Sequence, residues 1–398
     1  MILKTPFPEW KRNLAVLWLA QVMGMGAISG VFSFLPLYVA ELGVEDPADV
    51  KIWSGVLMAA APLFAGIFGP YWGAMGDRKG RKLMVERVMF MLILVLIGMA
   101  MVTNVYQLVG LRIVQGIFGG FTAAALALVT SVTPPEEVGF TMGIFQTAMV
   151  AGGAVGPFVG GWVADHFGYR MPFVVFGVLC FISLVTVRLL IVENFTPQQQ
   201  GAKPSIMKEI KTIVAIPGIT SMLLVLFLIQ FAMQVLSPIL PLYVQSMVAD
   251  FAYVATVSGM IIAAAGLTSS ISSVTMGRLG KRFSHYTILV TAALCGAVFF
   301  VLQALSSTIW ELGIFRALSG FALGVMLPSA NTIITRLIPP EKRGIAFGIT
   351  NGASLLGTVI GPLSGSLIAV QFGFPAVFWI TAAVFFLNAA WVSFQVKV

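Results

Sequence analysis

The chain has 398 residues, of which 59% are hydrophobic and only 10% are charged. Soluble domains contain about 45–50% apolar and about 25% charged residues, so this composition excludes a soluble protein and indicates a polytopic membrane protein. The formal net charge of +8 raises the question of a nucleic-acid partner, which the placement of the basic residues answers below. Cys180 and Cys295 both lie in apolar runs, so we expect no disulfide framework and no cysteine-based metal site.

Twelve apolar runs are long enough to cross a bilayer, which requires ~20 residues. The predicted spans cover residues 14–40, 52–75, 83–103, 106–131, 140–164, 172–192, 217–246, 254–276, 286–305, 309–334, 345–370 and 375–395. Residues 1–13 lack the cleavage pattern of a signal peptide, so we expect the first span to be retained.

The basic residues predict the orientation of these spans. With the N-terminus inside, nineteen of the 23 lysines and arginines fall at cytoplasmic ends. This bias is the positive-inside pattern of multi-pass membrane proteins. We therefore expect both termini in the cytoplasm, and we interpret the basic balance as an orientation signal and not as a site for nucleic acid.

The most charged segment lies between spans 2 and 3 and reads Gly73-Ala-Met-Gly76-Asp77-Arg78-Lys79-Gly80-Arg81-Lys82. One interpretation is a solvated turn whose cations only fix orientation. The other gives Asp77 a function, because a carboxylate just beyond a helix end can form a charged latch or accept hydrogen bonds from a neighbouring helix N-terminus.

The two halves of the chain repeat each other at an offset of 204 or 205 residues. Residues 36–39, Pro-Leu-Tyr-Val, recur at 241–244, and Arg112 recurs as Arg316. This repeat predicts an N-terminal six-helix half over 1–192, a cytoplasmic linker with a short amphipathic helix over 193–216, and a C-terminal half over 217–398. Lys281 stands where Asp77 would recur, so the acid of the charged loop occurs once.

Span 5 carries a stripe of glycines that predicts close helix packing. Gly152, Gly156 and Gly160 recur at i+4 and Pro157 predicts a kink. Span 11 repeats the pattern around Gly361 and Pro362. We expect span 5 to pack on span 8 and span 2 on span 11, with the span 5 stripe facing span 8, as the interface on which the halves rock.

Arg112 and Arg316 lie within spans 4 and 10, where a guanidinium needs a partner or a water-filled cavity. Hydrogen bonds to backbone carbonyls are the simpler interpretation. None of the fifteen acids lies at the centre of a span, so the residue that would carry a proton is not identified. The candidates for proton coupling are Arg112, Glu41, Glu311 and Asp165, with Asp77 as a further possibility.

A cavity between the halves would be lined by methionine, aromatic and amide side chains, which adapt to varied apolar ligands. Without a central acid, such a site should be less selective for cations than a carboxylate site. The candidate cavity residues are Gln21, Met25, Ser29, Phe32, Gln115, Phe118, Gln146, Gln230, Met233, Gln234, Arg316 and Asn331.

Three of these motifs resemble the major facilitator superfamily. The charged loop resembles the loop between its second and third spans, and the glycine motif of span 5 resembles the signature of its antiporter branches. Leu108-x-x-x-Arg112-x-x-Gln115-Gly116 resembles its span 4 motif, whose arginine is tied to proton coupling. The resemblance implies an all-α fold of twelve transmembrane helices in two pseudo-symmetric halves. It also implies that Asp77, Arg78, Gly80 and Arg81 latch the halves in the outward-facing state.

Further segments resemble the bacterial multidrug exporters of the 12-span drug:proton antiporter branch; they are residues 10–14, 53–55, 77–84 and 118–121. This resemblance implies efflux of lipophilic, amphipathic small molecules by a monomer in the bacterial inner membrane, among membrane lipids. A proton gradient would supply the energy and no cofactor would be needed.

Two alternatives of the same fold stay open. One is a lipid or glycolipid flippase, and the other is a solute uptake symporter, against which the span 5 glycines argue. An enzyme is not expected, because the sequence has no nucleotide-binding loop, no metal-spaced histidines or cysteines and no candidate triad.

Overall fold

The computed structural model describes residues 8–193, 195, 211–248, 253–339 and 342–395, which form helices joined by short connections. The first half contains α1 (Glu9–Gly30), α2 (Leu35–Glu41), α3 (Pro47–Lys79), α4 (Arg81–Met101), α5 (Val105–Ile117), α6 (Phe121–Ser131), α7 (Val138–Phe167) and α8 (Met171–Leu190). The second contains α9 (Ile219–Gln234), α10 (Leu240–Met247), α11 (Val254–Arg282), α12 (His285–Ala304), α13 (Ile309–Gly324), α14 (Met326–Leu337), α15 (Arg343–Phe372) and α16 (Phe374–Gln395). Short 3₁₀ turns cover Val31–Ser33 and Pro135–Glu137.

The membrane-spanning character predicted from hydropathy is confirmed. Eleven helical segments of the described chain are long and apolar enough to cross a membrane, and Ile219–Gln234 is a shorter apolar helix at the position of span 7. The predicted linker 193–216 falls outside the described residues except for Glu193, Phe195 and 211–216. The division into domains therefore stays a prediction.

Spans 1, 4, 7 and 10 are each broken into two helices, which the sequence analysis treated as single spans. The break in span 7 separates α9 from α10 at residues 235–239, and the break in span 4 separates α5 from α6 at Phe118–Gly120. Pro36 and Pro241 lie in the first turns of α2 and α10, where a missing N–H is tolerated. Gly120 has φ +93°, a conformation that favours glycine.

Helix α3 runs 33 residues, longer than the predicted span. It begins at Pro47 behind Asp46, whose side chain accepts a hydrogen bond of 2.8 Å from the Ala48 N–H. It ends where Gly80, at φ +99°, donates its N–H to the Gly76 carbonyl at 3.0 Å. The charged segment 73–82, predicted as a loop, is therefore helical except for Gly80, which forms the sharp corner between α3 and α4. Asp77 lies in the last turns of α3 and not beyond the helix end.

Aromatic clusters tie the outer parts of each half together at repeat-related positions. Tyr38 is fully buried, donates to the Met99 carbonyl at 3.0 Å and packs on Phe173. In the second half, Tyr243 packs on Phe374 and Phe378. The aromatic packing of the outer parts is thus repeated in both halves. Below, the inner end of the molecule is the end that carries the charged segment 73–82, and the outer end is the opposite one.

Candidate functional site

The two halves meet along two helix pairs, α7 with α11 and α3 with α15. A Cβ at Gly259 of α11 would collide with the Pro157 carbonyl of α7, and one at Gly55 of α3 would lie against the Pro362 carbonyl of α15. Glycine is required at both positions because the backbones touch. The predicted pairing of span 5 with span 8 and of span 2 with span 11 is confirmed.

The glycines of these helices make no such contacts toward the inner end. In the inner parts of α7, α11 and α15, glycines have no atom of another element within 4 Å of where a Cβ would stand; they are Gly139 and Gly143, Gly266 and Gly277, and Gly348 and Gly352. At the outer end α2 and α10 also touch across the halves. Within the described chain, the close contacts between the halves therefore lie toward the outer end, an arrangement that fits an inward-facing state.

The partner predicted for the span 5 glycine stripe was wrong. Gly152, Gly156 and Gly160 face α1, where their added Cβ atoms would meet the backbone of Val22, Gly26 and Gly30. The Ser29 hydroxyl adds a hydrogen bond of 3.2 Å to the Gly152 carbonyl. The stripe therefore binds span 5 to span 1 inside one half, and the neighbouring Pro157 and Gly161 face α11.

The repeated stripe in span 11 behaves in the same way. Gly357, Gly361 and Gly365 face the α9 backbone within the second half, whereas Pro362 faces α3. Adjacent positions on these helices thus serve different contacts, one within a half and one between the halves.

Among the described residues, Asp165 and Lys51 make polar contacts that join the halves at the outer end. The Asp165 carboxylate accepts hydrogen bonds from the Ala255 N–H at 3.2 Å, the Thr256 N–H at 2.6 Å and the Thr256 hydroxyl at 2.6 Å. The Lys51 ammonium donates to the Ala369 carbonyl at 3.4 Å. Tyr169 lies between α7 and α8. Burial raises the pKa of its phenol to about 12, and the Asp165 carboxylate makes a smaller contribution in the same direction.

In the charged loop, Arg81 is hydrogen-bonded to its own half, whereas Asp77 is exposed. Asp77 and Arg78 are exposed, and Asp77 has no hydrogen bond or ion pair with the described part of the chain. The Arg81 guanidinium donates to the Ala127 carbonyl at 3.1 Å, which ties the loop to α6. Asp77 and Arg81 border a cavity of about 220 Å³ between α3, α4 and α6. The loop is therefore held to α6 by Arg81, while the Asp77 carboxylate has no partner among the described residues.

Sequence reasoning missed the role of Glu193, which it assigned to the linker. Its carboxylate accepts hydrogen bonds from the Arg81 N–H at 2.9 Å and the Lys82 N–H at 2.8 Å, at the first turn of α4. Free N–H groups and the positive end of the helix dipole favour a carboxylate there. Nothing in the local sequence reveals this contact, since the partners lie more than 100 residues apart.

Arg112 is buried, and two of its side-chain nitrogens are hydrogen-bonded within its own half. Its Nε donates to the Leu57 carbonyl of α3 at 2.8 Å, and its Nη1 donates to the Gln115 side-chain oxygen at 2.8 Å. The simpler interpretation, a guanidinium bonded to a backbone carbonyl, matches this geometry. Gln115, a candidate cavity residue, is thereby committed to Arg112, and it borders a small void of about 40 Å³ together with Phe118.

Arg316 differs from its repeat counterpart. Its Nε and Nη1 are buried without a hydrogen-bond partner in the described chain, and its guanidinium lies 5.8 Å from the ring centroid of Phe300. Phe300 is fully buried and stacks on Phe385 of α16. The Arg316 head group therefore lies among the helices of the second half, although it was predicted to line the cavity.

The two glutamates among the coupling candidates lie at the outer end. Glu41 is exposed at the end of α2. Glu311 caps its own helix, accepting hydrogen bonds from the Ser307 N–H at 2.8 Å and the Thr308 N–H at 3.2 Å. Neither forms an ion pair with Arg112 or Arg316 among the described residues. Asp165 bonds the opposite half, as described above.

Most of the remaining cavity candidates are partly or fully buried in helix contacts. Gln21 donates to the Thr122 hydroxyl at 3.2 Å, Gln230 to the Thr358 hydroxyl at 3.5 Å, and Gln234 accepts from the Ser237 hydroxyl at 3.3 Å. Met25, Ser29, Phe32 and Met233 are likewise partly or fully buried. Of this set, Gln146 and Asn331 are exposed.

The structure adds Asn351, which the sequence analysis did not select. It is exposed in the inner part of α15, as Gln146 is in α7. The two amides are 205 residues apart, so the repeat offset relates them. Its position at the repeat offset from Gln146 is the sequence signal that identifies Asn351 as a candidate.

A polytopic helical protein whose two repeated halves meet along glycine-lined helix pairs has the architecture of a secondary transporter. Comparison with known proteins agrees: residues 17–257 and 222–397 match the Major Facilitator Superfamily. The chain is 34% identical to the multidrug resistance protein MdtG of Proteus mirabilis, over 99% of both chains. It is 34% identical to MdtG of Salmonella typhimurium, over 96% of this chain and 94% of that protein.

Solved structures agree on the fold. A bacterial homolog of the human lysosomal transporter Spinster superposes with a TM-score of 0.81 at 14% identity, over 98% of each chain. A D-xylose–proton symporter superposes with a TM-score of 0.77 at 16% identity, over 97% of this chain and 98% of that chain. The chain belongs to the Major Facilitator Superfamily. It is a multi-pass membrane transporter and not an enzyme, and the resemblance to bacterial multidrug exporters is confirmed.

Proposed function

We propose that this transporter exports amphipathic small molecules from a bacterial cell by alternating access. The observation that carries the proposal is the state of the interface between the halves, whose close contacts lie toward the outer end. The glycine contacts at Gly55 and Gly259 allow the backbones to touch, so that the halves can rock against each other. A second state, open at the outer end, completes the cycle.

Two observations support small, amphipathic substrates. The full-length relatives are named multidrug resistance proteins, and no acid of this sequence lies at the centre of a span. Gln146 of α7 and Asn351 of α15 are exposed amides in the inner parts of the two interface helices, where they can offer hydrogen bonds. We assign them contact with the substrate, because a few polar groups in an apolar site fix the orientation of a ligand.

A proton gradient would supply the energy, and the bacterial inner membrane would be the location. The coupling candidates remain Arg112, Glu41, Glu311 and Asp165. The loop residues Asp77, Arg78, Gly80 and Arg81 would latch the halves at the inner end in the outward-facing state. The protein would act as a monomer without a cofactor.

Reconstituted transport tests the proposal. Liposomes with an acidic lumen would be incubated with fluoroquinolones, cationic dyes and fluorescent phospholipids side by side. Molecules whose inner end faces the bath should carry drug into the lumen as protons leave, and an ionophore that collapses the pH gradient should stop the uptake. Protein-free liposomes correct for weak bases that an acidic lumen traps without a carrier.

The outcomes separate the alternatives. Drug uptake that follows the imposed gradient supports the exporter. Movement of labelled lipid without drug uptake overturns it in favour of a flippase of the same fold. Cotransport of a solute in the direction of the proton flow overturns it in favour of a symporter.

A further inference from the structure

The two polar contacts at the outer end occupy positions that the internal repeat relates. The offset of 204 carries Lys51 to Ala255, and the offset of 205 carries Asp165 to Val370, the residue after Ala369. Asp165 bonds Ala255 and Thr256, and Lys51 bonds Ala369. One half supplies both charged side chains, and the other half supplies backbone groups and the Thr256 hydroxyl, which they bind.

Each charge meets the helix end of opposite polarity. Ala255 and Thr256 lie in the first turn of α11, where N–H groups lack intrahelical partners and the helix dipole favours an anion. Ala369 lies in the last turn of α15, where free carbonyls and the dipole favour a cation. The Lys51 ammonium also lies 4.7 Å from the ring centroid of Phe374. Each contact therefore places a charge at the helix end that stabilises it.

Each contact lies one helical turn from a glycine at which the backbones of the two halves touch. Gly161 of α7 lies against the Ala255 backbone, one turn from Asp165, and Gly55 of α3 lies against Pro362, one turn from Lys51. Thr256 and Ala369 are buried, so water competes poorly for these bonds. Opening of the outer end has to break both contacts.

We propose that Asp165 and Lys51 are the outer-gate residues of this transporter, which hold the halves together in the inward-facing state and release them when the outer end opens. Asp165 mirrors the latch proposed for Asp77, whose carboxylate is free here. Each conformation would then engage one carboxylate of the first half, at opposite ends of the molecule. The inference rests on alternating access, but its test needs no substrate.

Distances between spin labels would measure the gate. Cys180 and Cys295 would first be replaced by serine. One label pair would sit at the exposed, repeat-related residues Met101 and Leu305 at the outer end. A second pair would sit at Leu189 and Phe394 at the inner end. Opening at one end should lengthen the distance there and shorten it at the other.

Asp165→Asn should raise the outward-open population about 10-fold or more, because hydrogen bonds to a charged group contribute more than neutral ones. Lys51→Met should act in the same direction, and the double variant should exceed either. Asp77→Asn should shift the population the other way, so that Asp165→Asn combined with Asp77→Asn returns toward the parent. Glu45→Gln, which removes an exposed outer-end charge outside the gate, should leave both distances unchanged.

The proposal is overturned if Asp165→Asn folds and keeps the parent distances at both ends, since Asp165 would then be a plain helix cap. If that variant does not fold, Thr256→Ala removes only the hydroxyl bond and should still raise the outward-open population. Unchanged distances in Thr256→Ala would count equally against the gate. Drug uptake by these variants, measured separately, tests the exporter itself and does not depend on where the gate lies.

Discussion

Arg112 and Arg316 occupy equivalent positions 204 residues apart, yet only the Arg112 side chain has hydrogen-bond partners in the described structure. One of the two bonds that Arg316 lacks is lost through a substitution in the repeat. Gln115 accepts from Arg112, whereas its counterpart Ser319 is too short and donates its hydroxyl to the Arg316 carbonyl at 2.8 Å. Arg316 thus keeps the charge of the motif without the group that satisfies it.

This difference predicts opposite effects on stability. Arg112→Met removes a bond to Leu57 and leaves Gln115 unpaired, so it should lower the free energy of unfolding by ~1–3 kcal/mol. Arg316→Met removes an uncompensated buried charge and should be neutral or stabilising. Thermal unfolding in detergent would compare the two. A larger loss for Arg316→Met than for Arg112→Met would mean that Arg316 has a bound partner, such as water or an anion.

Glycines of spans 5 and 8 predict two separable phenotypes. Gly156→Leu should overpack α7 against α1 inside the first half and lower stability by ~1–3 kcal/mol or more. Gly259→Leu should instead push α11 away from Pro157 and disturb the contact between the halves. The distance between spin labels at Met101 and Leu305, at the outer end, would report that contact. The distance should lengthen in Gly259→Leu and stay unchanged in Gly156→Leu; the reverse pattern would contradict the assignment.

These glycines also mark how far the sequence could predict the structure. An i+4 stripe defines a helix face, and the repeat made the pairing of spans 5 and 8 predictable. It could not say which neighbour lies on which face, because Gly160 and Gly161 are about 100° apart around the helix and serve different partners. Hydropathy likewise found the spans but averaged over the breaks at Gly120 and before Pro241.

The candidate site was less predictable than the fold. Arg112 could be singled out because a guanidinium within a span is rare. Its pairing with Leu57, and the pairing of Glu193 with the first turn of α4, depend on tertiary contacts between distant segments. Asp165 was selected only as an acid at the outer end, and its contact with Thr256 required knowing where α11 begins.

The latch prediction for Asp77 follows from its free carboxylate in this conformation. Asp77→Asn should slow transport roughly 10-fold or more, because a neutral amide binds helix N–H groups more weakly than a carboxylate does. Folding and membrane insertion should stay intact, since Asp77 has no contact here that the change would break. Glu136→Gln, an exposed acid at the same end, is the matched control. Parent transport rates for Asp77→Asn at equal expression would remove the latch role.

If Arg112 takes part in proton coupling, its replacement should change how transport responds to a pH gradient, an effect separate from the loss of stability. Its charge lies within the first half, and a nearby carboxylate that took part in coupling would have its pKa lowered until a conformational change separated the two. Arg112→Gln should then uncouple transport: substrate still moves down its gradient, but an imposed pH gradient no longer drives accumulation. Arg112→Lys keeps the charge and loses the second donor, so it should retain part of the coupling.

The partner acid is identified in the same assay. Glu41→Gln, Glu311→Gln and Asp165→Asn are each compared with Arg112→Gln for downhill flux and for pH-driven accumulation. The acid that carries the proton should reproduce the uncoupled phenotype, whereas a residue that only gates should slow or speed both fluxes together. Glu311 already satisfies its own helix end, so we expect Glu311→Gln to retain coupling. If Arg112→Gln still concentrates substrate against its gradient, the arginine is purely structural, because its bonds to Leu57 and Gln115 then account for its burial.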